Sequence, residues 1–295
     1  MGNLTAECPP VGIYPGIPFE GYCQWDAINH SKLSRIDKSP LHAKTPIDLS
    51  ESRSIRFGQL VHSGRLEPES VVSRYAVMPD YHLMPENTTG KGEPSTSTAT
   101  SFVKGRRAWF MEQIAGEGKT VVTAGEYDQM QDTLAAILQC RPAVECLSGG
   151  QPELSIVWQD KLTGLKCKAR IDYKRHNRLT DLKTSRDDKS SPLPESFEWS
   201  LWTYSYYSQA AWYQDGWRQL TGEKLPFWFC VVTNSYPIQC IAAPVGDVSL
   251  SVGRDKNRLR MEKWKACEIM DSWPGYESPE LFELPDKYLG GNIDE

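Results

Sequence analysis

The feature that most constrains this chain is a pair of adjoining segments near its middle, 166–173 and 179–185. In the first, Lys166, Lys168, Arg170 and Asp172 alternate with Cys167, Ala169, Ile171 and Tyr173. A period of two marks a strand, because successive side chains leave a pleated backbone on opposite faces. Polar chemistry is expected on one face and apolar bulk on the other. Lys174 to Arg178 offer a polar turn, and 179–185 returns as a strand with Asp181 and Lys183 on one face. The two segments therefore predict a β-hairpin with Asp172 near the end of one strand and Asp181 in the next. A strand upstream, 153–158, sets Leu154, Ile156 and Trp158 against Glu153, and Lys161 to Gly164 read as the turn that follows it.

The flanking sequence has helical spacing. Ile28, Leu33 and Ile36 share a face over 26–38, and Ser39-Pro40 ends that helix. A second helix covers 55–68, closing before Pro68, and others are expected at 102–116 and 125–139. Thr123, with Glu126 three residues on, has the spacing of a capping box. An aromatic-rich helix at 199–215 precedes strands at 226–233 and 238–244, and a last helix spans 249–273 with Leu259 and Trp264 inward. This order gives an α/β (α+β) chain, with one domain over 25–295. Residues 1–24, rich in Pro and Gly, read as an extended N-terminal arm, and 87–101 as a mobile surface loop with too few apolar side chains to pack.

Asp172, Asp181 and Lys183 carry the chemistry. Two carboxylates brought close across a ladder repel and need a cation, and hard oxygen ligands suit Mg²⁺ or Mn²⁺. His62, in a helix, could add a nitrogen ligand, and Gln209 and Tyr213 face the same way one turn apart. Lys166, Lys168 and Arg170 could line a DNA groove. Each feature alone also has a bland reading: a solvated strand face, a structural histidine, helix packing, a wet basic stripe. The basic series Arg254, Lys256, Arg258, Arg260, Lys263 and Lys265 of the last helix reads as a surface face, or as one that meets phosphate or another subunit.

The net charge of −5 argues against a protein that coats DNA by bulk charge, though not against a local basic groove. Eight scattered cysteines lack zinc spacing and read as buried free thiols. With no secretory leader pattern and no apolar run of about 18 residues, a cytoplasmic protein is expected.

The ordered set is more specific than its parts. Trp25 to Leu33 with Lys38-Ser39-Pro40, Gly58 and His62 with Leu66-Glu67-Pro68, Glu153 to Trp158, Cys167 to Asp172, Asp181 to Thr184, and Tyr207 to Tyr213 with Asp215-Gly216 resemble the RecB-like branch of the PD-(D/E)xK nucleases. Within that branch the likeness, over about 25–275, is to RecE-type phage and prophage exonucleases (exodeoxyribonuclease VIII-like). The resemblance implies a restriction-endonuclease-like core, a central mixed sheet flanked by helices. It implies His62, Asp172, Asp181 and the Leu182 carbonyl as ligands of Mg²⁺ or Mn²⁺, and Lys183 as the catalytic lysine. Gln209 and Tyr213 would support the site and the DNA strand, and Glu153 falls at an acidic position of the first core strand. The residue before Asp172, often Pro in such proteins, is Ile171 here. The implied activity is 5′→3′ digestion of linear double-stranded DNA to 3′ single strands in phage-type recombination. A homo-oligomeric ring would enclose the DNA, and a RecT-type annealing protein would be the partner. A CRISPR-associated (Cas4-like) or structure-specific nuclease is the alternative enzyme. The cysteine spacing speaks against the iron–sulfur cluster of some relatives. A DNA-end-binding recombination partner without nuclease activity is the alternative outside catalysis.

Overall fold

The computed structural model describes residues 8–46, 53–185 and 192–278. Its longest ladder joins β4 (Gln151–Gln159) to β5 (Lys166–Arg175). The turn between them is fixed locally: Asp160 Oδ1 accepts the backbone N–H of Thr163 at 2.8 Å, and Gly164 supplies a positive φ of 70°. After the two-residue turn at His176-Asn177, β6 (Arg178–Ser185) pairs antiparallel with β5 and then parallel with β7 (Phe227–Thr233). With β1 (Gly12–Tyr14) and β8 (Cys240–Pro244) at the edges, the sheet order is β1-β4-β5-β6-β7-β8. β2 (Tyr75–Met78) and β3 (Thr120–Thr123) form a separate parallel pair.

Helices cover both faces. On one lie α2 (His30–Ser34), α3 (Pro40–Lys44), α9 (Glu195–Thr203), α10 (Tyr206–Thr221) and α11 (Asp247–Met270). There Leu33, Trp212 and Trp264 pack on Ile156, Ile171 and Phe229. On the other face lie α4 (Arg53–Leu66), α7 (Ala124–Gln139) and α8 (Arg141–Cys146), where Leu60, Val61 and Met130 meet Leu182, Cys230 and Val232. This is the three-layer α/β architecture with a central mixed sheet that the sequence implied. The remaining helices are α1 (Phe19–Gln24), α5 (Val71–Arg74) and α6 (Ser101–Ile114).

Several elements differ from expectation. Within the stretch read as an extended arm, 12–14 joins the sheet as β1 and 19–24 forms α1; residues 1–7 lie outside the described residues. The helix expected over 26–38 is shorter, running from its Asn29 cap to Ser34 and ending in a 3₁₀ turn. The helix expected at 199–215 is two helices, parted at Ser205 with φ 56°. Residues 87–100 wrap around the buried Asn87 amide. Its Nδ2 donates to the carbonyls of Ser95 and His82 at 2.6 and 3.0 Å, and its Oδ1 accepts from Thr100 Oγ1 at 2.6 Å. One buried polar group here substitutes for the missing apolar ones. Thr123 and Glu126 do form the capping box. Leu259, expected inward, is exposed, because α11 turns Met261 and Trp264 to the core instead.

α10 and α11 touch almost backbone to backbone. A Cβ at Gly253 would lie 2.6 Å from the Tyr207 carbonyl oxygen and 2.9 Å from Ser208 Cα. Gly253→Ala should therefore cost about 1–3 kcal/mol, seen as a lower urea midpoint with unchanged slope. Gly105→Ala in α6 meets open space and should be neutral or stabilising by up to about 1 kcal/mol.

Candidate active site

The hairpin is not regular where its acidic residues stand. Leu154 and Ile171, partners across the β4–β5 ladder, pack in the α10–α11 core, yet Tyr173, only two residues further on, packs in the α4–α7 core. The predicted alternation, which put Tyr173 with Ile171, fails at Asp172. The cause lies across the ladder. Glu153, opposite Asp172, has φ 51°, and the pairing skips from Pro152↔Tyr173 to Leu154↔Ile171. A left-handed glutamate in a strand is a strained position of the kind that clusters at functional sites.

The β5–β6 ladder stops at the same place. Its last pair is Tyr173↔Thr180, so Asp172 and Asp181 occupy the next opposed positions, where the strands part. Asp172 Oδ2 accepts the Leu182 backbone N–H at 2.8 Å, so a side chain supplies the bond the ladder does not. Burial first, and the Asp181 charge second, push the Asp172 carboxyl up to about 7.

His62, Glu153 and Asp172 offer ligand atoms all within 4.8 Å of one another. His62 Nε2 lies 2.6 Å from the Leu182 carbonyl oxygen. A carbonyl only accepts, so Nε2 carries a proton and Nδ1 is turned to the carboxyl side. Nδ1 stands 3.6 Å from Asp172 Oδ2. An imidazole nitrogen and two carboxyl groups gathered this closely form a donor set that a cation can bridge. The Leu182 carbonyl, expected among the ligands, here orients the histidine ring.

Asp181 is not in that trio. Its side chain turns toward α10, where Gln209 Nε2 donates to Oδ1 at 3.1 Å and Lys183 Nζ lies 2.6 Å from Oδ2. The Lys183 contact is a close ion pair that holds Oδ2. Burial pulls the Lys183 pKa down, but Asp181 and Asp172 outweigh it and hold the ammonium above the ordinary lysine value. Gln209 Nε2 also reaches the Tyr213 hydroxyl at 3.3 Å, and burial pushes that phenol well above its usual range. A cleft of about 700 Å³ opens beside His62 and Lys183, with Tyr204 and Tyr206 among its lining residues.

The basic alternation leading into Asp172 lines no groove. Lys168 Nζ donates to the carbonyls of Tyr22 and Trp25, both at 2.8 Å, and so caps the end of α1. Burial draws its pKa down to about 8. Lys166 Nζ donates to the Cys8 carbonyl at 2.8 Å. Arg170 Nε donates to Glu153 Oε2 at 2.5 Å and Nη1 to the Ile17 carbonyl at 2.5 Å. Much of the α11 series is likewise engaged: Arg258 grips Asp160 through both carboxylate oxygens at 3.1 and 3.0 Å, and Arg260 pairs with Asp37. Two contributors escaped the sequence reading. Arg170 is the counter-ion of Glu153, and Tyr206, three residues before Gln209, places its ring centroid 4.8 Å from Lys183 Nζ. The helical spacing of Tyr206, Gln209 and Tyr213 was the available signal for the second.

The sequence matches the family described as PDDEXK-like domain of unknown function (DUF3799) over residues 29–284. The chain belongs to that family. A candidate exonuclease from Eubacterium rectale shares the fold at a TM-score of 0.56 and 18% identity, covering 94% of this chain and 99% of its own. An alkaline exonuclease from Laribacter hongkongensis aligns at a TM-score of 0.20 and 13% identity over 72% of this chain and 100% of its own, too loosely to carry an argument. No curated protein matches. Among the described residues no helix is long and apolar enough to cross a membrane.

The raised Asp172 carboxyl has a pH consequence. Between its unfolded value of 3.8 and about 7, the folded metal-free chain keeps a proton that the unfolded chain has released. Stability should therefore fall as pH rises through that window. Asp172→Asn should flatten the dependence, as read from urea midpoints across the window in EDTA; a variant with the wild-type slope would exclude Asp172 as its source.

Proposed function

We propose that this chain is a divalent-metal-dependent DNA exonuclease. The observation that carries this reading is the opening of the β5–β6 ladder at Asp172 and Asp181, with His62 Nδ1 on one side and the Lys183 ammonium on the other. The donor set fits a cation of the Mg²⁺ or Mn²⁺ type: a buried carboxyl that burial and the Asp181 charge push up, a facing imidazole nitrogen, and the Glu153 carboxyl group, with ligand atoms within 4.8 Å of one another. Asp172, His62 and Glu153 would hold it, with the Asp181 carboxylate beside them. Bound there, such an ion supplies Lewis-acid activation of water and neutralises charge on phosphate.

The protein's own groups have distinct tasks. Lys183 stays protonated, so it acts as a fixed cation beside the attacking water and the scissile phosphate rather than as a proton acceptor. Gln209 fixes the Asp181 carboxylate, and Tyr213 fixes Gln209. Leu182 works through its backbone alone, its N–H held by Asp172 and its carbonyl by His62.

The finer reading rests on the resemblance to RecE-type enzymes. It is digestion of linear duplex from the 5′ end to leave 3′ single strands, by a homo-oligomeric ring working with a RecT-type annealing protein. The net charge of −5 is compatible with it, because an enclosing ring keeps its substrate by topology and needs no strong bulk attraction.

With Mg²⁺, the wild type should release nucleotides from linear duplex and leave a closed circle intact. Asp172→Asn, Asp181→Asn and Lys183→Met should each lower the rate by about 100-fold or more, and EDTA should abolish it. Wild-type rates in these variants would remove the assigned site. Label loss from 5′-marked against 3′-marked ends reads the polarity, and native mass reads the ring.

A further inference from the structure

Four of the eight cysteines gather where α7 and α8 lie on the outer strands of the sheet. Cys230 of β7 and Cys240 of β8 are staggered by two residues across their ladder, and their Sγ atoms are 3.8 Å apart. Cys140, between α7 and α8, also lies against Cys240, and Cys146 ends α8. The four differ in access. Cys230 and Cys146 are fully buried, and Cys146 Sγ accepts from Arg178 Nη1 at 3.5 Å. Cys240 and Cys140 are half-buried. They differ in charge as well. Contact with the Cys230 and Cys140 thiols draws the Cys240 thiol down, against the opposing effect of its burial. Contact with Cys240, and then burial, pushes the Cys230 thiol well above its usual range. The proton of the pair therefore rests on the buried Cys230, and the accessible Cys240 is the one that forms thiolate.

We propose that Cys230 and Cys240 are a reversible dithiol site, which takes a low-molecular-weight disulfide of the glutathione type as its oxidant and closes to an intramolecular bridge. The inference does not rest on the nuclease reading. Cys240 loses its proton and attacks one sulfur of the small disulfide. That S–S bond breaks, a mixed disulfide forms on Cys240, and the leaving thiolate takes up the proton. Cys230 then attacks Cys240 Sγ, and its proton passes to the second departing thiolate. Two protein thiols are oxidised and one small disulfide is reduced to two thiols. A Cys240 in mixed disulfide carries no charge, so the chief cause of the raised Cys230 thiol is gone when Cys230 must act. The two sulfurs must close from 3.8 Å to about 2 Å. β8 is an edge strand, bonded to β7 alone, so it is free to give. Cys230 also stands opposite Leu182 in the β6–β7 ladder, so the bridge would fasten the sheet edge to the strand beside the candidate active site.

The test exposes the reduced full chain, in EDTA, to excess oxidised glutathione. The reaction is quenched in acid, the remaining thiols are alkylated in urea, and the cysteines are mapped by mass spectrometry after proteolysis. Wild type should lose alkylation at Cys230 and Cys240 together and yield a peptide pair linked through them, which dithiothreitol releases. Cys230→Ala lacks the resolving thiol and should stall with glutathione on Cys240. Cys240→Ala should leave Cys230 alkylated, because its buried sulfur is out of reach of the oxidant. If either variant unfolds, the wild-type map decides the matter by itself. A wild type that keeps both thiols overturns the site. So does glutathione that stays on Cys240 while Cys230 remains free, or a bridge from Cys240 to Cys140 in place of Cys230.

Discussion

The structure depends on one substitution of partners: where β5 and β6 separate, the Asp172 carboxylate takes the Leu182 N–H that a longer ladder would have bonded. A sheet covered by helices on both faces has no free surface for polar chemistry. It can expose reactive groups only where its regularity fails. Here the failure is shared by three strands at one level. Glu153 turns left-handed in β4, Asp172 ends the alternation of β5, and Asp181 stands at the fork of β6. The acidic residues therefore sit at the seam between two hydrophobic cores, where each can reach a helix from a different layer.

Charge is divided with the same economy. The cations of β5 face the N-terminal segment and hold its carbonyls, so Lys168 and Lys166 fasten residues 8–25 against the sheet. Those of α11 bind Asp160, Asp37 and Asp215 and tie the last helix to the hairpin turn, the α2 region and α10. Lys183 is the exception, its ammonium lying at the cleft among carboxylates and aromatic faces. A basic residue count would have missed this, because most of these cations are engaged in structural contacts while Lys183 lies at the cleft.

Much of this was legible in the sequence because its signals are local. Alternation located β5 and β6, the Thr123/Glu126 spacing fixed the start of α7, and the one-turn spacing of Gln209 and Tyr213 placed both toward Asp181. The Asp172/Asp181 opposition followed from the hairpin, and the register bears it out. What stayed hidden was non-local. Nothing in the string 152–154 says that Glu153 will adopt a positive φ, or that Arg170 across the ladder will be its counter-ion. β1 is three residues long and exists only because β4 offers an edge. The tasks of Lys166 and Lys168 depend on carbonyls more than a hundred residues away.

The bare contact between α10 and α11 has a consequence for how the molecule can breathe. With no side chain at Gly253 to act as a spacer or a bearing, α10 is locked against the longest helix. Gln209, Tyr206 and Tyr213 ride on that locked element, and Asp181 and Lys183 ride on a strand hydrogen-bonded along its whole length to β7. The lysine half of the cleft thus behaves as one rigid jaw. His62 belongs to α4, whose hold on the sheet at this level is a single imidazole–carbonyl bond and ordinary apolar packing. Any change in the spacing of the two halves would then fall to the histidine side, and the distance from His62 to Asp172 would register it.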